Sequence, residues 1–194
     1  MRPRSELFAQ FGDIDIYLFD QILRGRIAPG MTIFDAGCGG GRNLVYFRNA
    51  GYDVYGADAD PRAVAGLPSD RFRCEPLEAM SFPEAFADVA IVSAVLHFAR
   101  SDAQFEAMLR GAWRVLKPGG LFFCRLASSI GIEGQIVRVD GRRFRLPDGS
   151  DRYLVDERLL MEWTAELGGR LSDPLKTTVV QNQRAMTTWV VTKT

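Results

Sequence analysis

The run Phe34-Asp35-Ala36-Gly37-Cys38-Gly39-Gly40-Gly41-Arg42-Asn43-Leu44 places a glycine cluster between two segments of different periodicity. Before it, Met31-Thr32-Ile33-Phe34 is short, apolar and partly β-branched, as a buried strand is, and after it Asn43-Leu44-Val45-Tyr46-Phe47 continues with helical spacing. The glycines therefore occupy a strand-to-helix turn. Residues without a Cβ let the backbone turn tightly and let a ligand approach the N–H groups that open the next helix, where the field favours negative charge. Such a turn suits a nucleotide-like ligand.

Spacing separates the candidates. A phosphate-cradling P-loop needs Gly-Lys-Ser/Thr, and here Gly41 is followed by Arg42 and Asn43. The dinucleotide fingerprint asks for a third glycine or alanine where Arg42 stands, so an NAD-binding protein stays as a rival one position out of register. The remaining pattern is Asp35, Gly37, Gly39 and Gly41 at alternate positions. A second strand, Tyr52-Asp53-Val54-Tyr55-Gly56-Ala57, ends at Asp58, and Val115-Leu116-Lys117-Pro118-Gly119-Gly120-Leu121 precedes a later strand. In that order the three segments resemble the class I S-adenosylmethionine-dependent methyltransferases, over roughly Met31 to Arg125. The resemblance implies S-adenosyl-L-methionine as cofactor. It puts Asp35 and the three glycines beneath it and Asp58 on the ribose, since a carboxylate can accept two hydrogen bonds from a cis-diol. Ala59 and Ser93, at the ends of the second and fourth strands, join the cofactor set.

The adenine end departs from the family pattern. The acid expected after the third strand falls near Pro76, so either Glu75 or Glu78 takes that role in shifted register, or the backbone around Leu77 serves instead; Glu78 is preferred. Cys38, inside the motif, is expected to be a small tolerated residue rather than a nucleophile.

Strands and helices alternate along the chain. A helix over Asp15 to Arg26 with Asp13 as cap is followed by the first strand and a helix over Arg42 to Asn49. Then come strands at Asp53–Ala57, Arg71–Cys74 and Asp88–Ser93, a helix from Ala103 to Leu116 capped by Asp102, and a strand over Gly120–Ala127. Asp140-Gly141, inside the alternating run Ile136–Leu146, predicts a two-residue hairpin that pairs Val137 with Phe144 and Arg138 with Arg143. Opposed arginines require compensation, from Glu133, Asp148 or Asp151, or from an anionic acceptor, with the structural explanation preferred. A helix over Val155–Leu167 and strands at Lys176–Gln181 and Met186–Thr192 close the chain.

The chain of 194 residues carries 24 basic and 24 acidic side chains, which gives none of the broad basic field of a dedicated nucleic-acid binder. Three scattered cysteines and one histidine offer no zinc-ligand spacing, so no metal is expected, and the cysteines are expected to be reduced and mostly buried. Met1-Arg2-Pro3-Arg4-Ser5-Glu6 opens onto no long apolar stretch, and the expectation is a cytoplasmic protein without a membrane span.

The fold expected is α/β, a Rossmann-like three-layer sandwich with a mainly parallel seven-stranded sheet and one antiparallel strand. It forms one domain: an N-terminal lid (1–30), the cofactor core (31–127), a hairpin insertion (128–152) and a C-terminal helix with a strand pair (153–194). The activity expected is methyl transfer to a small-molecule acceptor. Methylation of RNA or of a protein side chain, and a non-catalytic cofactor-binding sensor, stand as alternatives. His97, in the loop after the fourth strand, is the candidate general base, weighed equally against a packed histidine. Tyr17, on the N-terminal lid, is the second candidate on the acceptor side.

Overall fold

The apolar runs become the strands of one sheet in the computed structural model, which describes residues 5–194. The expectation drawn for Met1-Arg2-Pro3-Arg4 lies outside them. The strands are β1 (Thr32–Ala36), β2 (Asp53–Asp58), β3 (Phe72–Cys74), β4 (Ala87–Ser93), β5 (Leu116–Ser128), β6 (Val137–Asp140), β7 (Arg143–Arg145), β8 (Asp151–Tyr153), β9 (Gly169–Leu171), β10 (Lys176–Val180) and β11 (Arg184–Lys193). The helices are α1 (Glu6–Phe11), α2 (Ile16–Leu23), α3 (Val45–Asn49), α4 (Pro61–Val64), α5 (Asp102–Arg114) and α6 (Glu157–Glu166). The main sheet runs β10-β11-β5-β4-β1-β2-β3, with β11 antiparallel to both its neighbours. This is the expected mainly parallel sheet with one antiparallel strand. The short β9 is an addition: it pairs with the end of β11 on the edge that β10 also occupies, and Ser172–Leu175 interrupts that edge.

Side-chain alternation divides the sheet into two buried faces. Phe34, Ala90, Val92, Phe122, Cys124 and Trp189 belong to the core that includes α5 and α6. Ile33, Val54, Val89, Ile91, Phe123 and Val190 belong to the opposite core, which includes Leu18 of α2 and Phe47 of α3. Trp189 is fully buried, and its indole N–H donates to Thr164 Oγ1 at 2.9 Å, so its one polar atom is satisfied inside the core.

Helix starts differ from expectation where a neighbouring side chain makes the better cap. Asp15, not Asp13, caps α2, because its carboxylate accepts from Tyr17 N–H at 3.0 Å while Arg42 donates to the Asp13 carbonyl. Ser101, not Asp102, caps α5, with its hydroxyl accepting from Gln104 N–H at 3.1 Å. The helix expected from Arg42 opens as a 3₁₀ turn over Arg42–Leu44 before α3 begins.

The insertion is a three-stranded sheet rather than a hairpin, because β8 pairs with β7. Its register also departs from expectation. Val137 faces Arg145, Arg138 faces Phe144 and Asp140 faces Arg143, so Val139 is bulged and the turn is Gly141-Arg142. The like charges are thereby taken off the same rung. Arg138 lies over the Phe144 ring at 4.8 Å, and Arg145 and Arg143 both face Asp151. The structural explanation for the arginines is the one the geometry supports. Cys38 and Cys124 are buried, whereas Cys74 is exposed because β3 is an edge strand. Among the described residues no helix is long and apolar enough to cross a membrane, and no group of three or more His, Cys, Asp or Glu is placed to hold a metal ion.

Candidate functional site

The carboxyl ends of β1, β2 and β4 meet the glycine turn at a cavity of about 390 Å³. Gly37 takes φ +80°, donates its N–H to the Ala57 carbonyl at 2.8 Å, and packs so tightly that a Cβ on it would lie 2.4 Å from Val95 Cγ2. The turn therefore needs glycine there for both conformation and space. Gly39 donates its N–H to Asp58 Oδ2 at 2.8 Å, and Asp60 donates to Asp58 Oδ1 at 2.9 Å. Both oxygens of Asp58 are thus fixed by backbone, and each keeps a further lone pair for a ligand donor. Gly41 adopts the left-handed conformation and opens the 3₁₀ turn.

Asp35 is the electrostatic anomaly. It is 1% exposed, and neither carboxylate oxygen has a hydrogen-bond partner. Burial lifts its pKa to about 7, with the Asp58 charge adding to the rise and the Arg42 charge opposing it. An orphaned buried acid beside a ligand-sized cavity suits a cation brought by the ligand. Cys38, next to the same turn, has its thiol pushed up to about 12, first by burial and then by Asp35 and Asp58, so it is no thiolate nucleophile.

At the far end of the cavity the 3₁₀ turn Leu77–Ala79 presents Glu78. Glu75 is engaged elsewhere, accepting from Ser81 N and Oγ at 2.8 and 2.5 Å. Of the acids considered from sequence for this end, Glu78 is the one lining the cavity. Gly37, Asp58, Ala59 and Leu77 line it too.

Asp35, Gly39, Gly41, Ser93, His97 and Tyr17 do not line that cavity. Ser93 is buried at the end of β4, accepts from Arg42 at 3.3 Å and donates to Asp15 Oδ2 at 3.2 Å. Asp15 also receives Arg125 of β5 at 3.4 Å, and its N–H donates to Asn43 Oδ1 at 3.1 Å. Ser93 thus anchors the N-terminal segment. Tyr17 hydrogen-bonds Thr178 Oγ1 through its hydroxyl, and Arg125 lies 5.3 Å from its ring centre.

His97 is buried, at 6% exposure, in the loop that follows β4. Its Nδ1 accepts from Ala127 N–H at 3.2 Å, which leaves the proton of the neutral ring on Nε2. Burial first, then Arg152 and Arg125, lowers its pKa to about 4.

Residues not singled out from sequence complete the cavity wall: Ala94, Val95, Phe98, Arg100, Gln104 and Met108. Ala94 is a non-glycine residue at φ +63°, held by its N–H to the Arg125 carbonyl at 2.7 Å, and such strain concentrates at functional sites. One sequence signal did exist for Gln104: Ser101-Asp102-Ala103-Gln104 has the spacing of a capping box.

A methyltransferase-domain family model matches residues 34–124, the stretch that builds this site. Over that stretch the chain is similar to methyltransferase domains, and the strand order and glycine turn agree with the resemblance to the class I S-adenosylmethionine-dependent methyltransferases. An uncharacterised methyltransferase of Synechocystis is 36% identical over 100 residues, which is 50% of this chain and 47% of that one. The chain spans less than half the length of the curated relatives it matches. A methyltransferase structure from Methanosarcina mazei superposes with TM-score 0.73 at 18% identity, covering 89% of this chain and 96% of that chain. The Burkholderia thailandensis 1,6-didemethyltoxoflavin N1-methyltransferase, solved with bound 1,6-didemethyltoxoflavin and S-adenosylhomocysteine, superposes with TM-score 0.70 at 21% identity, covering 97% of this chain and 81% of that chain. At these identities the likeness to the two structures is one of fold.

Proposed function

We propose that the chain is a methyltransferase that uses S-adenosyl-L-methionine to methylate a small molecule. The observation that carries this is the unpartnered buried carboxylate of Asp35 behind a glycine turn whose Gly37 borders a cavity that Asp58 and Glu78 also line. Three polar groups of the cofactor have counterparts of suitable chemistry: Asp35 for the ammonium, Asp58 for the ribose hydroxyls, Glu78 for the adenine amino group. Bound there, the cofactor supplies a methyl group activated by its sulfonium.

The chain's own contribution is then placement and exclusion of water. Gly37 lets the turn pack against Val95, Ala59 and Leu77 flank the ligand, and Ser93 with Asp15 holds the N-terminal segment. Tyr17 and Arg125 form a wall on the acceptor side through their ring contact. With His97 packed away, the acceptor reading favours an atom that needs no histidine base. The small-molecule class is supported by the balanced charge of the chain and a structural neighbour named for a small acceptor. A cytoplasmic location goes with it, on the ground of three unpaired cysteines.

Titration calorimetry with S-adenosylmethionine and S-adenosylhomocysteine tests the reading, followed by methyl-release assays on pooled metabolites and pooled RNA. Absence of adenosyl-ligand binding at millimolar concentration overturns it. Turnover on RNA and none on metabolites would overturn the acceptor class.

A further inference from the structure

Glu78 is not a free surface carboxylate. Its Oε1 accepts from Gln104 Nε2 at 2.7 Å, and Gln104 is itself locked, because its Oε1 accepts from Arg100 N–H at 2.9 Å. A carboxamide that accepts on one side must donate on the other, so the backbone of Arg100 dictates which way Gln104 presents its N–H to Glu78. The main chain on both sides is fixed as well. The Ser101 hydroxyl caps α5 by accepting from Gln104 N–H, and α5 presses so closely on the Leu77–Ala79 turn that a Cβ on Gly111 would lie 2.0 Å from the Leu77 carbonyl oxygen. Gln104, Glu78, Leu77 and Arg100 all line the same cavity. With Oε1 occupied by a donor, Glu78 Oε2 has no partner of its own and is an acceptor.

We propose that Gln104 is the positioning residue for base specificity, a relay from the Arg100 backbone through Gln104 to Glu78 that fixes an acceptor at the base-binding end of the cavity. The inference rests on the cofactor reading above. An amino group on the six-membered ring of the base meets the free oxygen of Glu78 productively, whereas a carbonyl at that position sets lone pair against lone pair. Sites built to hydrogen-bond one group reject the analogue that lacks it, because a polar partner covered by the bound ligand is left unpaired.

The relay makes a directional prediction. In Glu78→Gln, Gln104 still donates, so the introduced carboxamide turns its oxygen to Gln104 and its N–H group to the cavity. Preference then moves toward a base carrying a carbonyl. In Gln104→Glu, the cap and the bond from Arg100 N–H survive, but an acceptor replaces the donor facing Glu78 and the carboxylate swings away. Combining the two substitutions restores a donor-acceptor pair with the directions exchanged, and an oxygen again faces the cavity.

Calorimetry with S-adenosylhomocysteine and S-inosylhomocysteine, which differ in an amino group against a carbonyl, measures this as a ratio of affinities. The unaltered chain should prefer the adenosyl ligand by about 30-fold or more, in line with loss of one hydrogen bond to a charged group. Glu78→Gln should shift the ratio by at least about tenfold toward the inosyl ligand, Gln104→Glu should lower it by about tenfold, and the double variant should recover it. A purely structural role for Gln104 would weaken both ligands alike and leave the ratio unmoved. An unchanged ratio in Gln104→Glu, or no recovery in the double variant, overturns the relay while leaving the cofactor reading intact. Binding of neither ligand by the unaltered chain overturns that reading and the relay with it. Should Gln104→Glu fold poorly, Gln104→Leu gives the same test of the ratio.

Discussion

Gly37 and Val95 are packed so closely that the turn after β1 and the loop after β4 hold each other's shape: a Cβ at position 37 would come within 2.4 Å of Val95 Cγ2. Gly37 also lies at φ +80°. Gly37→Ala is therefore expected to destabilise the fold by about 1–3 kcal/mol through overpacking and backbone strain. Urea denaturation measures that loss, and calorimetry should show weaker adenosyl-ligand binding beside it. Adding Val95→Ala should return the part due to crowding and not the part due to the backbone; no recovery would mean that strain accounts for the whole effect.

Asp35 makes stability and binding depend on pH in opposite ways. The folded, ligand-free chain keeps its proton until about pH 7, whereas the ordinary value for the group is 3.8. Between those values the folded state binds more protons than the unfolded one, so stability falls as pH rises through the window and levels off above 7. Asp35→Asn should raise the stability of the ligand-free chain at pH 8 by about 1–3 kcal/mol, and by less at pH 5. The same variant should weaken S-adenosylhomocysteine binding by about tenfold. Binding that is unaffected would remove Asp35 from the cofactor site.

His97 gives the opposite sign on the acid side. Its ordinary value of 6.5 falls to about 4 in the folded chain, so as pH drops from 6.5 toward 4 the unfolded state takes up a proton that the folded state refuses, and stability declines. His97→Leu leaves the Ala127 N–H without its acceptor and should cost about 1–3 kcal/mol. His97→Gln, able to accept that bond, should lose less and should keep kcat within about threefold, since loss of a true general base costs far more. A hundredfold fall in kcat for His97→Gln at unchanged stability would reinstate the base.

Asp15 joins α2 to the ends of β4 and β5 through Ser93 and Arg125, and it caps α2 as well. Asp15→Ala should destabilise the chain by about 2–4 kcal/mol, combining the loss of a cap with that of a mostly buried charge pair. Hydrogen exchange should speed most over residues 13–23, with α5 little altered. Uniform acceleration across the sheet would show that Asp15 supports the whole fold rather than the covering segment.

The strand, glycine turn and helix of the proposed cofactor site were legible in the sequence because they are local. The run from Phe34 to Leu44 carries strand, turn and helix within a few residues, and Asp58 follows the next apolar run, so short-range patterning was enough to place Asp35, the three glycines and the sheet they end. What the sequence by itself determined was thus the class of fold and the strand-to-helix turn at the carboxyl end of β1. Tertiary structure decided the rest. That Ser93 serves the N-terminal segment follows from Asp15 reaching it across 78 residues of chain. His97 became a packed side chain because β5 brings the Ala127 N–H to its Nδ1. The hairpin's register follows from β8 and Asp151, which no pattern within Ile136–Leu146 encodes. Glu78 acquired a fixed orientation only when α5 was laid against its turn, with Gly111 and Gln104 making the contact. The physical reason is common to all four: a side chain's role depends on which donors, acceptors and charges surround it, and those neighbours come from segments distant in the chain.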